Sequence, residues 1–153
     1  MTDARARHLY VHLPFCAHRC GYCDFVTAVG HADQHGPYVD ALLAELELER
    51  PLLADELETV FLGGGTPTYT EPAALARLLA ALPRAAEVTT EANPETVTPA
   101  LAALLREGGV TRVSLGAQSF QPQLLEVLER RASPEDVRRS VDTLRDASFD
   151  NIS

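Results

Sequence analysis

Two hydrophobic patterns alternate along this chain. Short runs rich in β-branched, aromatic and leucine residues predict buried strands over 8–13, 58–62, 87–91 and 111–115, and 149–153 reads as the entry to a fifth. Between these runs the apolar residues recur every three or four positions, which is the spacing of an amphipathic helix. The alternation predicts an α/β fold whose parallel sheet is built from right-handed βαβ units.

The helical stretches are bounded by proline, glycine and capping residues. Helices are predicted over 37–50, from 72 to 83, from 99 to 108, over 121–130 and over 134–146, while 25–36 reads as a loop. Thr70 is expected to cap the second helix. Ser133 and Asp136 have the spacing of a capping box ahead of the last one.

Composition narrows the class of protein. The chain has 153 residues, 46% of them hydrophobic and 23% charged, which is ordinary for one soluble globular domain. Its net charge of −9 argues against binding nucleic acid, which favours basic surfaces. No lysine is present, so Schiff-base and Walker-type lysines are excluded. The N-terminus lacks the apolar stretch of a signal peptide, and we expect a cytoplasmic protein.

All the cysteines lie within eight residues, as Cys16, Cys20 and Cys23. Three neighbouring thiols cannot all form intramolecular disulfides, so a shared metal centre explains them better. A four-iron cluster held by three cysteines keeps one iron open for a further ligand. The alternative is a zinc site in which a histidine completes the set, from His12, His18 or His31.

The residues around the cysteines carry a family resemblance. Tyr-Val-His-Leu-Pro-Phe-Cys over 10–16 and Cys-Gly-Tyr-Cys-Asp-Phe over 20–25 resemble the cluster loop of radical S-adenosylmethionine (SAM) enzymes. The similarity is greatest to the oxygen-independent coproporphyrinogen III oxidases (HemN) and the related heme chaperones (HemW). The oxidase branch has a further cysteine where this chain has Phe25, which favours the chaperone branch.

The resemblance implies a cluster and a cofactor. Cys16, Cys20 and Cys23 would bind a [4Fe–4S] cluster, and SAM would chelate the fourth iron. Electron transfer from the reduced cluster would break a carbon–sulfur bond of SAM and give a 5′-deoxyadenosyl radical. The remaining positions that match SAM-contacting residues are Tyr10, Tyr22, Gly64, Gly65, Thr66, Glu91, Gln118 and Arg130.

Each of these positions also has an ordinary explanation. Glycines form tight turns, aromatic rings fill cores, and most glutamates, arginines and loop amides lie on the surface. The segment Gly-Gly-Gly-Thr-Pro-Thr over 63–68 and Glu-Ala-Asn-Pro-Glu over 91–95 match the family in sequence, with weaker support for Glu95. Residues 128–132 differ from the family's Leu-Gly-Arg-x-His motif at two positions. Glu129 replaces the glycine, and Ala132 replaces the histidine.

The resemblance also implies an extent and a function. Residues 1–153 would be the N-terminal part of a partial (β/α)6 TIM-like barrel, truncated near its fifth strand, with the rest of the barrel and a C-terminal domain absent. The implied function is that of a HemW-like chaperone in porphyrin metabolism, with heme as a ligand, a heme-recipient protein, and an electron donor such as flavodoxin or ferredoxin. The alternatives are oxidative decarboxylation of coproporphyrinogen III and a zinc-stabilised binding module.

Overall fold

Parallel strands dominate the computed structural model, which describes residues 5–153. The strands are β1 (His8–Leu13), β2 (Phe15–Cys16), β3 (Ala28–Val29), β4 (Leu57–Gly64), β5 (Ala85–Ala92), β6 (Arg112–Leu115) and β7 (Asn151–Ile152). The main sheet has the order β1-β4-β5-β6-β7, and β2 pairs with β3 separately. Every one of these pairings is parallel, which confirms the predicted α/β fold with its parallel sheet.

Helices connect the strands of the main sheet. They are α1 (His35–Glu49), α2 (Pro72–Ala81), α3 (Pro99–Glu107), α4 (Pro122–Val127) and α5 (Pro134–Asp146). Four of them, α2 to α5, begin at a proline, whose missing N–H costs nothing at that position. Short 3₁₀ turns at Pro67–Tyr69 and Pro94–Thr96 follow β4 and β5. No helix within residues 5–153 is long and apolar enough to cross a membrane.

One face of the sheet carries the core. Along β1, Val11 and Leu13 are buried among leucines and valines of the neighbouring strands and helices. Tyr10 and His12, which alternate with them in sequence, lie on the opposite face because side chains alternate along a strand. On that face Tyr10 is 53% exposed. The sheet therefore has an apolar side packed by helices and an open side lined by polar and aromatic groups.

The strand register brings the carboxyl ends of the strands together. Leu13 pairs with Gly64 at the end of β1 and β4, and Ala92 pairs with Leu115 at the end of β5 and β6. Loops that follow these strands must therefore meet at one edge of the sheet. This is the edge at which parallel α/β folds assemble ligand sites.

Some local predictions were wrong. Glu71, not Thr70, caps α2, because its carboxylate accepts hydrogen bonds from the backbone N–H groups of Ala73 and Ala74 at 3.0 and 2.8 Å. Thr70 is buried instead. The helix predicted over 121–130 ends at Val127. The loop predicted over 25–36 contains β3, a 3₁₀ turn at Ala32–Gln34 and the first two residues of α1.

The capping box before α5 was predicted correctly. The hydroxyl of Ser133 accepts a hydrogen bond from the backbone N–H of Asp136, and the Asp136 carboxylate accepts one from the backbone N–H of Ser133. These bonds lower the pKa of Asp136. The box satisfies two donors that the helix itself leaves free. The helix accordingly begins at Pro134, as predicted.

Candidate functional site

The three cysteines lie in a loop that begins directly after β1. Cys16 belongs to the short strand β2 and is buried, whereas Cys20 and Cys23 are partly exposed. The backbone N–H of Cys23 donates to the Cys20 carbonyl at 3.0 Å, which closes a turn between these two cysteines. All three thiols are free of disulfides. The loop therefore presents three sulfur donors above the end of the sheet.

The glycine segment after β4 passes against this loop at close range. A side chain at Gly65 would place its Cβ 2.4 Å from the Pro14 carbonyl oxygen and 2.8 Å from the Cys16 sulfur. Gly64 has φ +114°, a backbone conformation that favours glycine. The Gly65 N–H also donates to the Leu13 carbonyl at 2.9 Å. Glycine is required here because the backbone of one loop fills the space beside the other.

Burial raises the pKa of Tyr22 and of two further groups at the site. The Cys16 thiol is the first, and the hydroxyl of Thr66, 3.6 Å from its sulfur, offsets this pKa change in part. The Glu91 carboxyl, at the end of β5, is the second; a backbone hydrogen bond from Gly64 and the nearby His12 partly counteract the rise in its pKa. Binding a metal at Cys16 must therefore displace a proton from its thiol.

A guanidinium joins the strand ends to the cysteine loop. Arg130 donates through Nη2 to the Gly116 carbonyl at 2.6 Å and to the Asn93 side-chain oxygen at 3.0 Å. Its Nη1 lies 3.5 Å from the Cys20 sulfur. The Asn93 amide in turn donates to the Thr66 hydroxyl at 3.1 Å. The segments after β4, β5, β6 and α4 are thus connected through two side chains.

A cavity of about 310 Å³ lies between these segments. Ten of the eleven residues predicted to bind cluster or SAM line it: Cys16, Cys20, Cys23, Tyr22, Gly64, Gly65, Thr66, Glu91, Gln118 and Arg130. Tyr10 does not; its ring stacks on Phe61, and its hydroxyl lies 3.0 Å from the His12 Nδ1. Its contact with SAM stays a prediction. Glu95 also lies outside this cavity.

The donors suit a cluster better than a single ion. Within residues 5–153, no three histidine, cysteine, aspartate or glutamate side chains converge closely enough to hold one metal ion. A four-iron cluster binds each thiolate through a different iron, so its ligands need not converge on one point. The Arg130 Nε is buried without a hydrogen-bond partner, so the cavity also has a donor for an additional acceptor. The residues present fit a cluster with an anionic ligand beside it.

Asn93 was not among the predicted site residues. It lines the cavity and holds Thr66 and Arg130 in place through its amide. Its position directly after β5 and before Pro94 was the available signal, because polar residues at strand ends meet in a parallel sheet. Gln118 lines the cavity with φ +61°, a conformation uncommon for a residue with a side chain.

The family model of the radical SAM superfamily matches residues 10–153. This chain belongs to the radical SAM superfamily. Membership implies a [4Fe–4S] cluster and SAM, which agrees with three free thiols beside a polar cavity.

Two curated relatives represent two branches of the superfamily. The heme chaperone HemW of Mycobacterium tuberculosis is 47% identical over 137 residues, which cover 82% of this chain and 35% of that protein. The oxygen-independent coproporphyrinogen III oxidase of Bradyrhizobium diazoefficiens is 36% identical over 154 residues, covering 95% of this chain and 34% of that protein. This radical SAM chain therefore spans about a third of the length of the curated relatives it matches.

A solved structure confirms the type of barrel. Coproporphyrinogen III oxidase (HemN) from Escherichia coli superposes with a TM-score of 0.87 at 28% sequence identity. The match covers 98% of this chain and 37% of that one. The parallel sheet of this radical SAM chain thus corresponds to the N-terminal part of the HemN barrel.

Proposed function

We propose that Cys16, Cys20 and Cys23 bind a [4Fe–4S] cluster and that SAM occupies the adjoining cavity. One observation supports this proposal most strongly. The three cysteines and the ends of β4, β5 and β6 line the same cavity, which has a volume of about 310 Å³. When bound, the cluster and SAM would supply one-electron reductive cleavage of a carbon–sulfur bond. The protein would contribute binding, orientation and exclusion of water.

The cavity walls supply groups that match both ends of SAM. Backbone groups of Gly64 and Gly65, with the Thr66 side chain, would pair with its amino acid part. Glu91 and Gln118 would accept from its ammonium or ribose groups, and the free Nε of Arg130 would approach its carboxylate. The partly exposed ring of Tyr22 would pack on the adenine.

Anaerobic reconstitution with iron and sulfide tests the cluster directly. The chain should take up about four irons and four sulfides per molecule, as the cluster type requires. Cys20→Ala should lose most of the bound iron, since one of three ligands is removed. Asp24→Ala, which changes an exposed residue in the same loop, serves as the control and should retain the cluster. Equal iron content in Cys20→Ala and the parent would contradict the proposal.

We further propose that the whole protein is a HemW-like heme chaperone. Support comes from the 47% identity to the M. tuberculosis chaperone and from Phe25, which stands where the oxidase branch carries another cysteine and lines the cavity here. Heme would be handed to a recipient protein, and an electron donor such as flavodoxin or ferredoxin would reduce the cluster. Free thiols and a cluster of this kind suit the reducing cytoplasm.

Coproporphyrinogen III oxidation is the second candidate. The structural match to the E. coli oxidase, at a TM-score of 0.87, favours it. Full-length protein containing this chain should be incubated with coproporphyrinogen III, SAM and a reductant, and separately titrated with heme. A chaperone will bind heme and release no protoporphyrinogen. Formation of protoporphyrinogen would establish the oxidase and reject the chaperone proposal.

A zinc-stabilised module is the least supported candidate. His12 is engaged through both ring nitrogens, by the Tyr10 hydroxyl and the Val26 carbonyl at 3.0 Å each. The Nε2 of His18 lies 3.2 Å from the Glu129 carbonyl, and His31 is exposed. Elemental analysis separates the two metals: one zinc per chain without sulfide would support this candidate and reject the cluster.

A further inference from the structure

The side chain of Glu129 lies against the turn between two of the cysteines. A Cβ placed on Gly21 would be 2.9 Å from both the carboxyl carbon and one carboxylate oxygen of Glu129. Gly21 directly follows Cys20 and precedes Cys23 by two residues. Glu129 therefore places a carboxylate beside the backbone that carries two of the proposed cluster ligands.

The backbone of Glu129 has a conformation that favours glycine. Glu129 has φ +53°, in the left-handed region that L-residues with side chains adopt at a cost. Helix α4 ends two residues earlier, at Val127, and the chain turns back there toward the cysteine loop. The backbone alone would accept glycine at this turn, so the glutamate side chain is not required for the turn to form.

Two further contacts hold the same turn on the cysteine loop. The His18 ring nitrogen Nε2 lies 3.2 Å from the Glu129 carbonyl oxygen. The Arg130 Nη1 donates toward the Cys20 sulfur at 3.5 Å. Residues 129 and 130 thus place a negative side chain against Gly21 and a positive side chain beside Cys20.

We infer that Glu129 is a positioning residue that lowers the reduction potential of the cluster proposed at Cys16, Cys20 and Cys23. This inference rests on the proposed function. Reduction adds an electron to a cluster whose ligand loop lies against this carboxylate. The potential of an iron–sulfur cluster depends on nearby charge, hydrogen bonds to sulfur and solvent exposure. The Arg130 guanidinium acts in the opposite direction at Cys20, so the pair sets the potential jointly.

The test is a redox titration of the reconstituted protein, followed by electron paramagnetic resonance, at one pH and ionic strength. Glu129→Gln retains the shape of the side chain and removes its charge. We expect the ratio of reduced to oxidised cluster at a fixed solution potential to rise by about two- to tenfold, where tenfold corresponds to about 59 mV for one electron. Iron content should stay at the parent value.

Two variants separate charge from other causes. Glu126→Gln removes an exposed carboxylate from α4, one turn earlier, and should leave the potential unchanged. Glu129→Gly removes both charge and contact and should shift the potential at least as far as Glu129→Gln. An unchanged potential in Glu129→Gln, or an equal shift in Glu126→Gln, would overturn the inference while the cluster in the parent protein stands. A parent protein that binds no cluster would overturn the proposed function as well.

Discussion

The side chain of Asn93 accepts a hydrogen bond from Arg130 and donates one to Thr66, with donor–acceptor distances of 3.0 and 3.1 Å. One amide thereby connects the end of β5 to the segment after β4 and to the turn after α4. Arg130 extends the connection to Cys20. The cavity wall and the cysteine loop therefore depend on the same small hydrogen-bond network.

Asn93→Ala should destabilise the fold measurably. It removes both bonds and leaves partly buried donors of Arg130 with fewer acceptors, which typically costs about 1–3 kcal/mol. Urea unfolding followed by circular dichroism measures the change in the free energy of unfolding. Asn151→Ala, at an exposed position of β7, is the matched control and should change it by less than about 0.5 kcal/mol. An equal change in the free energy of unfolding for the two variants would contradict a stabilising role of the network.

Gly65→Ala should reduce cluster loading. Its new Cβ would lie 2.4 Å from a backbone carbonyl oxygen and 2.8 Å from the Cys16 sulfur, so the two loops must separate. Gly36→Ala is the control, because a Cβ there meets nothing within 4 Å and the residue lies in α1. The control should take up as much iron as the parent protein. Normal iron content in Gly65→Ala would contradict the close packing described for this glycine.

His35 should make stability depend on pH. Its buried ring packs on Phe15 with centroids 4.0 Å apart, and Nδ1 accepts a hydrogen bond from the Glu71 N–H at 2.9 Å. Burial lowers the pKa of His35 from its ordinary 6.5, so the folded protein keeps the ring neutral while the unfolded chain takes up a proton. Stability contributed this way is full above pH 6.5 and declines as the pH falls toward the lowered pKa.

His35→Gln should flatten this part of the pH profile. The parent should lose up to about 1.4 kcal/mol per pH unit through His35 below pH 6.5, the limit for one proton. His31→Gln changes an exposed histidine and should leave the profile as in the parent. Unfolding by urea at several pH values between 7 and 5 provides the measurement. Parallel profiles for the parent and His35→Gln would show that the ring is not held neutral.

Ser148→Gly should stabilise the protein. After α5 the Ser148 N–H bonds to the Arg145 carbonyl and the Phe149 N–H to the Leu144 carbonyl, which together form a Schellman motif. Ser148 has φ +65°, and glycine removes a conformational cost of about 1 kcal/mol there. The neighbouring Ala147 has φ −84°, so Ala147→Gly should instead destabilise. Thermal unfolding distinguishes the two, and a lower melting temperature for Ser148→Gly would contradict this reading.

The sequence was most informative where local signals agreed with burial. The strand predicted over 8–13 and the helix over 134–146 match β1 and α5, because each combines clear periodicity with a proline or capping residue at its boundary. The cap of α2 was misassigned because Thr70 and Glu71 can both cap a helix, and packing buries the threonine. Local sequence alone does not decide between them.

The candidate site likewise contains residues that the sequence indicated and residues that it did not. Cysteine spacing and matching segments indicated ten residues that the fold brings to one cavity. Asn93 and Glu129 were not among the predicted site residues, because each makes its contact with a segment far away in the chain: Asn93 with Arg130, and Glu129 with Gly21. Contacts of that kind depend on the register of the strands and the path of the loops. Neither can be predicted from a single sequence.

The most direct test of the central claim is electron paramagnetic resonance of the anaerobically reconstituted, reduced protein before and after addition of SAM. We predict the signal of a reduced [4Fe–4S] cluster that changes in shape when SAM is added, because the cofactor would bind the iron that the three cysteines leave open. The change should be absent when 5′-deoxyadenosine, which lacks the amino acid part of SAM, is added at the same concentration. A protein without a cluster signal, or a signal that SAM leaves unaltered, would contradict the account.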